Sequence, residues 1–293
     1  MSSKNYLSIY AKSFNWAGFF LPKKTYQKCS SLYDFCRTVD DIADNGDALD
    51  IKKKNLSTFR NDFINKNFNN LIIKNMWDLM TDHEISIKII EDFFVGIESD
   101  LNEKVQLNEK KDLLIYSYRV AGTVGLMMAK ILNVKGKDSM KAAIDLGIAM
   151  QLTNIARDVV EDSKNNRFYI QHDFQDISDT LTLADLFYKS CFTSIKEIPF
   201  NFRFAILVAR RVYRKIGDEI LKTNNIEGYN KAGKIYVNNS GKLYQTVLSL
   251  LDLIKLLLTK EKSCYMSDEH LLINEEIDLN ERIWLYNYRW WLC

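Results

Sequence analysis

Two stretches of this chain set pairs of aspartates four residues apart inside sequence that otherwise reads as helix. They are Tyr33-Asp-Phe-Cys-Arg37-Thr-Val-Asp40-Asp41-Ile-Ala-Asp44 and Gln151-Leu-Thr-Asn154-Ile-Ala-Arg157-Asp158-Val-Val-Glu161-Asp162. Side chains at i and i+4 share a helix face, and two carboxylates placed there repel. At about 100° per residue, Tyr33, Arg37, Asp40 and Asp44 fall on one narrow face, and Gln151, Asn154, Asp158 and Asp162 do the same on the later helix. That later helix is flanked by Ile144, Leu146, Ile148, Met150, Leu152, Ile155, Val159 and Val160. Apolar nearly all round, it belongs in the interior. Buried carboxylates accept hydrogen bonds but donate none, so they call for a cation. Oxygen ligands without His or Cys point to Mg²⁺, with Mn²⁺ as its substitute; such an ion keeps waters and completes its shell with phosphate oxygens. Either motif alone reads equally well as a solvated face paired to lysines. Two together, with Arg37, Gln151, Asn154 and Arg157 alongside, are more than a solvated face needs.

Composition narrows the remaining classes. Forty Lys and Arg against 38 Asp and Glu leave no charge excess, and no basic block suits nucleic acid, so a nucleic-acid partner is not expected. Only two prolines, Pro22 and Pro199, and 11 glycines in 293 residues favour a mostly helical protein. Cys29, Cys36, Cys191, Cys264 and Cys293 form no Cys-x-x-Cys pair and suit a reducing, cytoplasmic setting. His83, His172 and His270 are too scattered for a zinc site. The Met1–Tyr6 start has neither the basic residues nor the apolar stretch of a signal peptide.

The periodicity predicts helices over 5–14, from Pro22 to Asp44, 49–66, 70–80, 84–101, 109–133, 138–163, 182–194, 199–223 and 232–261, with a polar loop over 164–182 and no strand. No repeat or linker divides the chain, which reads as one all-α domain over 1–293 with an unassigned tail at about 263–293. The tail's Trp284, Tyr286, Tyr288, Trp290 and Trp291 could cap the bundle or meet a membrane surface. A third segment, Tyr116-Ser-Tyr-Arg-Val-Ala-Gly122-Thr-Val-Gly125-Leu-Met-Met128, puts two glycines inside a helix. Each costs about 1 kcal/mol relative to Ala, which is tolerable where a neighbouring helix or an apolar ligand comes close.

At these residues the chain resembles the squalene/phytoene synthase family, the head-to-head trans-isoprenyl diphosphate synthases. The first acidic stretch matches the family's first aspartate motif. The second stretch, with Arg167-Phe-Tyr169-Ile after it, matches the second motif, and the Tyr116–Met128 segment is similar to the bacterial phytoene synthase form. Ser13-Phe14 and Leu21-Pro22 match the N-terminal pattern. The resemblance implies a single-domain isoprenoid synthase helical bundle with a central apolar cavity. It implies that Asp40, Asp44, Asn154, Asp158 and Asp162 hold Mg²⁺ against prenyl diphosphates. Ser13, Arg37, Gln151, Arg157 and Lys234 would bind substrate, Gly122 and Gly125 would supply a hydrocarbon wall, and Tyr33, Tyr116 and Tyr229 would stand at the cavity. Where Lys234 stands the family more often has Arg, a planar fork that lysine lacks.

The expected activity is 15-cis-phytoene formation. Two geranylgeranyl diphosphates condense through a cyclopropylcarbinyl (prephytoene) diphosphate, the first committed step towards carotenoids, and NADPH is not required. A C30 dehydrosqualene or squalene synthase using farnesyl diphosphate is the alternative within the family. A non-catalytic assembly factor is the alternative outside enzymology, opposed by the four intact aspartates; a terpene cyclase is opposed by the Tyr116–Met128 segment. A greasy product implies peripheral contact with the inner face of a membrane and hand-over to downstream carotenoid enzymes.

Overall fold

The computed structural model describes residues 12–259 and 269–284. The expected helix over 5–14 lies almost wholly outside them, as do Tyr286, Tyr288, Trp290 and Trp291 and the side chains of Ser13 and Trp284. The helices are α1 (Lys12–Gly18), α2 (Lys23–Asp44), α3 (Leu49–Ile64), α4 (Leu71–Asp82), α5 (Ile87–Ser99), α6 (Lys110–Ser117), α7 (Thr123–Ile131), α8 (Lys137–Lys164), α9 (Phe174–Ser190), α10 (Phe200–Leu221), α11 (Ile226–Ala232), α12 (Asn239–Leu258), α13 (Glu269–Asn274) and α14 (Leu279–Trp284). Pro22 and Pro199 stand at the N-caps of α2 and α10, where a missing N–H costs nothing. Among the described residues no helix is long and apolar enough to cross a membrane.

Three local expectations are corrected. The stretch 164–182 is not a loop throughout: the Asp173 carboxylate accepts from the Asp176 N–H at 2.8 Å and starts α9 at Phe174. Its polar residues serve as a cap and a solvent face. The helix expected over 232–261 starts only at Asn239, after Gly233 takes φ +64° and ends α11. The helix expected over 109–133 is interrupted by a π-helical turn, Tyr118–Gly122. Tyr116, Val120, Val124 and Met128 all line the central cavity. Steps of four on a regular helix drift by about 40° each; the wider turn takes up part of that drift and keeps the series on one face.

A short parallel strand pair was also not expected: β1 (Val105–Gln106) and β2 (Arg167–Phe168), in the register Val105↔Arg167 and Gln106↔Phe168. Two residues per strand give no alternation for a sequence reading to find.

α2 is anchored by aromatic packing. Phe35 meets Phe63 of α3 at 5.2 Å and Phe94 of α5 at 6.0 Å between ring centroids, and all three are buried. α8 is clasped by α7, α9 and α10. Its approach to α7 is close enough to require glycine. A Cβ on Gly125 would stand 2.1 Å from the Ala143 carbonyl oxygen, and one on Gly147 would stand 2.2 Å from that of Ala121.

The chain end then straps the bundle. Arg282 donates to both Asp92 oxygens, at 2.7 and 3.1 Å, beside the Tyr118 hydroxyl at 3.0 Å. On α8 the buried Asp145 carboxylate meets His270 Nε2 at 2.5 Å and accepts from Ser190 Oγ at 2.6 Å.

The glycine contact gives a direct test. Gly147→Ala is expected to lower unfolding free energy by about 1–3 kcal/mol through overpacking, read from the urea midpoint. Gly46→Ala, whose added methyl meets nothing within 4 Å, is expected to change it by less than about 0.5 kcal/mol.

Candidate active site

The motif ends of α2 and α8 face a cavity of about 900 Å³. Each helix lines it with one stripe that changes character along its length. On α2 the stripe runs Cys29, Leu32, Cys36, then Asp40 and Asp44; on α8 it runs Ala142, Leu146, Met150, then Asn154, Asp158 and Asp162. The four-residue spacing that sets the aspartates together therefore continues into an apolar trough. The lining spans Tyr26 to Asp44 on α2, about 27 Å at 1.5 Å per residue.

At the polar end the carboxylates crowd one another. Burial first, and then the neighbouring Asp44, push the Asp40 carboxyl up to about 7; burial and Asp158 do the same to Asp162. Asp100 adds a further negative charge to both and is itself raised by burial, against the pull of Arg167. Some charge is met by the chain's own cations. Arg157 donates from Nε and Nη2 to both Asp158 oxygens at 2.8 and 2.6 Å, Arg167 pairs with Asp44 at 2.8 Å, and Lys234 stands 3.4 Å from Asp158. Arg37 pairs with Asp41 at 2.6 Å. Among the described residues Asp40 and Asp162 belong to no ion pair.

The donor set fits a hard divalent cation: oxygen ligands, buried, mutually repelling, with an amide at Asn154. Among the described residues no three His, Cys, Asp or Glu side chains converge tightly enough to hold an ion unaided. Two facing aspartate pairs suit an ion that shares its shell with water and phosphate.

Most of the expected site residues come together. Tyr33, Arg37, Asp40, Asp44, Tyr116, Gly125, Gln151, Asn154, Arg157, Asp158, Asp162 and Lys234 all line this cavity. Lys234 arrives because the turn at Gly233 returns the chain to α8. Two expectations are corrected. Tyr229 is not a cavity tyrosine: it is buried, and its hydroxyl donates to the Ala156 and Arg157 carbonyl oxygens at 3.1 and 2.8 Å, holding α11 against the motif helix. Gly122 does not line the cavity; a Cβ there would press on Tyr118 at 3.0 Å and Ile144 at 3.1 Å, so close helix packing accounts for it. Ser13 has no described side chain.

Sequence reasoning missed one partner group at the site. The Asp100 carboxylate accepts from the Tyr116 hydroxyl at 2.9 Å and from the Tyr169 hydroxyl at 2.6 Å; those two rings stack at 4.6 Å. The β1–β2 pair joins this region to the segment after α8, and so sets Asp100 near Arg167 and Tyr169. Arg167 and Tyr169 stood in the quoted second motif without a role. Asp100, alone at a helix end, carried no signal. Tyr213 and Tyr236 also join the lining, with the Arg157 guanidinium 5.5 Å above the Tyr236 ring.

With this geometry in place, the comparisons define the class. A sequence model of the squalene/phytoene synthase family matches residues 8–175. The 15-cis-phytoene synthase of Pantoea ananas is 29% identical over 247 residues, 73% of this chain and 80% of its own length. That of Paracoccus sp. (strain N81106 / MBIC 01143) is 38% identical over 129 residues, 38% of this chain and 42% of that protein. Among solved structures, a dehydrosqualene synthase in complex with ligand has a TM-score of 0.74 at 25% identity, covering 85% of this chain and 94% of the other. Squalene synthase HpnC from Alicyclobacillus acidocaldarius shares the fold, with a TM-score of 0.63 at 16% identity over 76% of this chain and 91% of its own. The chain belongs to the squalene/phytoene synthase family. It has the isoprenoid synthase helical fold and is a prenyltransferase-type enzyme; the family implies prenyl diphosphate substrates.

Asp100→Asn tests the Tyr116–Asp100–Tyr169 unit. It is expected to cut turnover by about 10–100-fold, as loss of an outer-shell partner does. Steady-state diphosphate release should show the loss mainly in kcat rather than KM.

Proposed function

We propose that this chain is a Mg²⁺-dependent 15-cis-phytoene synthase. It condenses two geranylgeranyl diphosphates head to head through a cyclopropylcarbinyl (prephytoene) diphosphate and opens a carotenoid pathway. The observation that carries this reading is one cavity in which two aspartate faces give way to a long apolar trough. Relatives described as 15-cis-phytoene synthase, matched over most of the chain, support the C40 product. So do the small side chains of the trough, among them Ala142, Ala143, Ala205 and Ala209, which leave room for a longer tail.

Asp40, Asp44, Asn154, Asp158 and Asp162 would hold the Mg²⁺, which supplies neutralisation of the departing diphosphates. Arg37, Arg157 and Lys234 stand where a second anion can draw them from their present carboxylate partners. A diphosphate offers Arg157 the same two-oxygen geometry that Asp158 offers it now. Leu32, Val124, Met128 and Leu146 exclude water that would quench a carbocation. The rings of Tyr33 and Tyr116 present π faces to positive charge. Tyr116 keeps its proton: burial, then Asp100, push its hydroxyl well up, so it donates to Asp100 and serves as a fixed dipole.

The C30 reading has one observation in its favour, the match to a dehydrosqualene synthase structure. Purified protein with Mg²⁺ and geranylgeranyl diphosphate is expected to yield a C40 hydrocarbon with the 15-cis triene. Preferential turnover of farnesyl diphosphate to a C30 product, with no C40, would replace this reading with the other. Asp40→Asn and Asp158→Asn are each expected to lower kcat by at least about 10²-fold.

Metal binding has a readout of its own. Mg²⁺ with inorganic diphosphate is expected to raise the thermal midpoint above that with diphosphate alone, and the Asp40→Asn/Asp162→Asn double variant should lose that rise. An equal rise in the variant would place the ion elsewhere.

A further inference from the structure

Helix α12 is built inside out. Its inward face is mostly polar: Lys242, Gln245, Thr246, Ser249 and Asp252 are buried there, with Leu256 the apolar exception. Arg211 of α10 donates to both Asp252 oxygens at 2.5 and 2.8 Å, and Trp16 Nε1 of α1 donates to Thr246 Oγ1 at 2.9 Å. Its outward face is apolar. Leu243, Val247, Leu250, Leu251, Ile254 and Leu258 follow three- and four-residue steps and are between 49% and 76% exposed. The stripe runs from Leu243 to Leu258 of the 20-residue helix, about 22 Å. Isolated exposed leucines are ordinary in folded proteins; a continuous stripe on a helix whose polar face is buried is not.

Exposed apolar side chains also stand on α10 and just after α1, two helices that contact α12. Phe19 is 73% and Phe200 60% exposed, and Phe20 packs edge-on against Phe204 of α10 at 4.9 Å. Exposed or half-exposed charges on α12 and on segments 19–24 and 199–204 are all basic: Lys23, Lys24, Arg203 and Lys255. The acidic residue of α12, Asp252, is turned inward to Arg211. This patch also lies behind the catalytic cavity. α10 lines the cavity with Ala205, Ile206 and Ala209 and carries α12 alongside, while Gly18 and Leu21, next to the exposed Phe19 and Phe20, line the cavity too.

We propose that this face, centred on the outward stripe of α12, seats the enzyme on an anionic lipid bilayer. A helix with an apolar stripe and basic flanks lies in the plane of the membrane interface, stripe towards the acyl chains and lysines among the headgroups. A second copy of the chain fits less well. Two-fold pairing through one patch gathers only like-charged residues into one interface, whereas anionic headgroups complement them. The choice of a bilayer also rests on the hydrocarbon product proposed above, which needs an apolar acceptor close to the trough. The vesicle test below uses no substrate, so its failure and the failure of that functional reading are told apart.

The full-length protein is floated with phosphatidylcholine vesicles, with and without phosphatidylglycerol. We expect it to float with the anionic vesicles and to bind neutral ones at least tenfold less. Leu250→Glu/Leu251→Glu/Ile254→Glu, checked for retained fold by circular dichroism, should lose at least tenfold of the binding. Lys23→Glu/Lys255→Glu should lose the anionic preference while the fold is untouched. Wild-type protein that stays in the aqueous phase overturns the proposal, and so does a triple variant that floats like wild type. A wild-type dimer that the triple variant converts to monomer, with vesicle binding unchanged, assigns the face to self-association and overturns it equally.

Discussion

Carboxylate repulsion at the mouth of one cavity organises this molecule. Asp40 and Asp44 on α2, Asp158 and Asp162 on α8, and Asp100 after α5 are held near one another in a partly dehydrated space. Left alone, such groups would take up protons: burial, then Asp44 and Asp158, push the Asp40 and Asp162 carboxyls up. The fold must therefore oppose a force that would part α2 from α8. The aromatic packing of Phe35 with Phe63 and Phe94 holds one helix. The glycine contact of Gly125 and Gly147 holds the other. Arg157 and Arg167 reduce the charge from within. A site that crowds carboxylates in this way would bind a cation with corresponding benefit, since the cation relieves a repulsion already present.

What could be read from the sequence follows from how local each signal is. Asp40/Asp44 and Asp158/Asp162 were legible because their spacing is a property of a single helix, and α2 and α8 occur where periodicity and Pro22 put them. Asp100 was not legible, because its meaning comes from β1–β2 pairing that joins residues more than sixty apart through two residues per strand. Tyr229 shows the converse error. A tyrosine assigned by resemblance to the cavity spends its hydroxyl on the α8 backbone, a contact that only tertiary packing specifies. The glycines at 122 and 125 looked alike in sequence. The structure separates them, since Gly125 both admits α8 and lines the trough, whereas Gly122 is packed between Tyr118 and Ile144.

The chain end illustrates a different limit. α13 and α14 are short; Ile273, Ile277, Leu279 and Ile283 bury into the core, and side-chain pairs add to their placement: Arg282 with Asp92, His270 with Asp145, Lys110 with Glu269, Arg119 with Glu276. Exposed pairs of this kind contribute little each. The buried contact of His270 with Asp145 and the two-oxygen grip of Arg282 on Asp92 give the strap its register. Through Tyr118 that second contact reaches the π-helical turn. A segment with no counterpart in the family motifs thus supports the wall on which Tyr116 and Val120 stand.

The polar underside of α12 has a consequence for the cavity as well as for the surface. Burying Asp252 against Arg211 fixes the rotation of α12 about its axis, because turning it would strand an ion pair in apolar surroundings. With rotation fixed, the leucine stripe must face outward, and α10 is left between that stripe and the trough. A thin wall of Ala205, Ile206 and Ala209 then separates the trough from the exposed apolar stripe of α12. The same ion pair directs that apolar face outward, so the trough and the greasy exterior are set on opposite sides of α10.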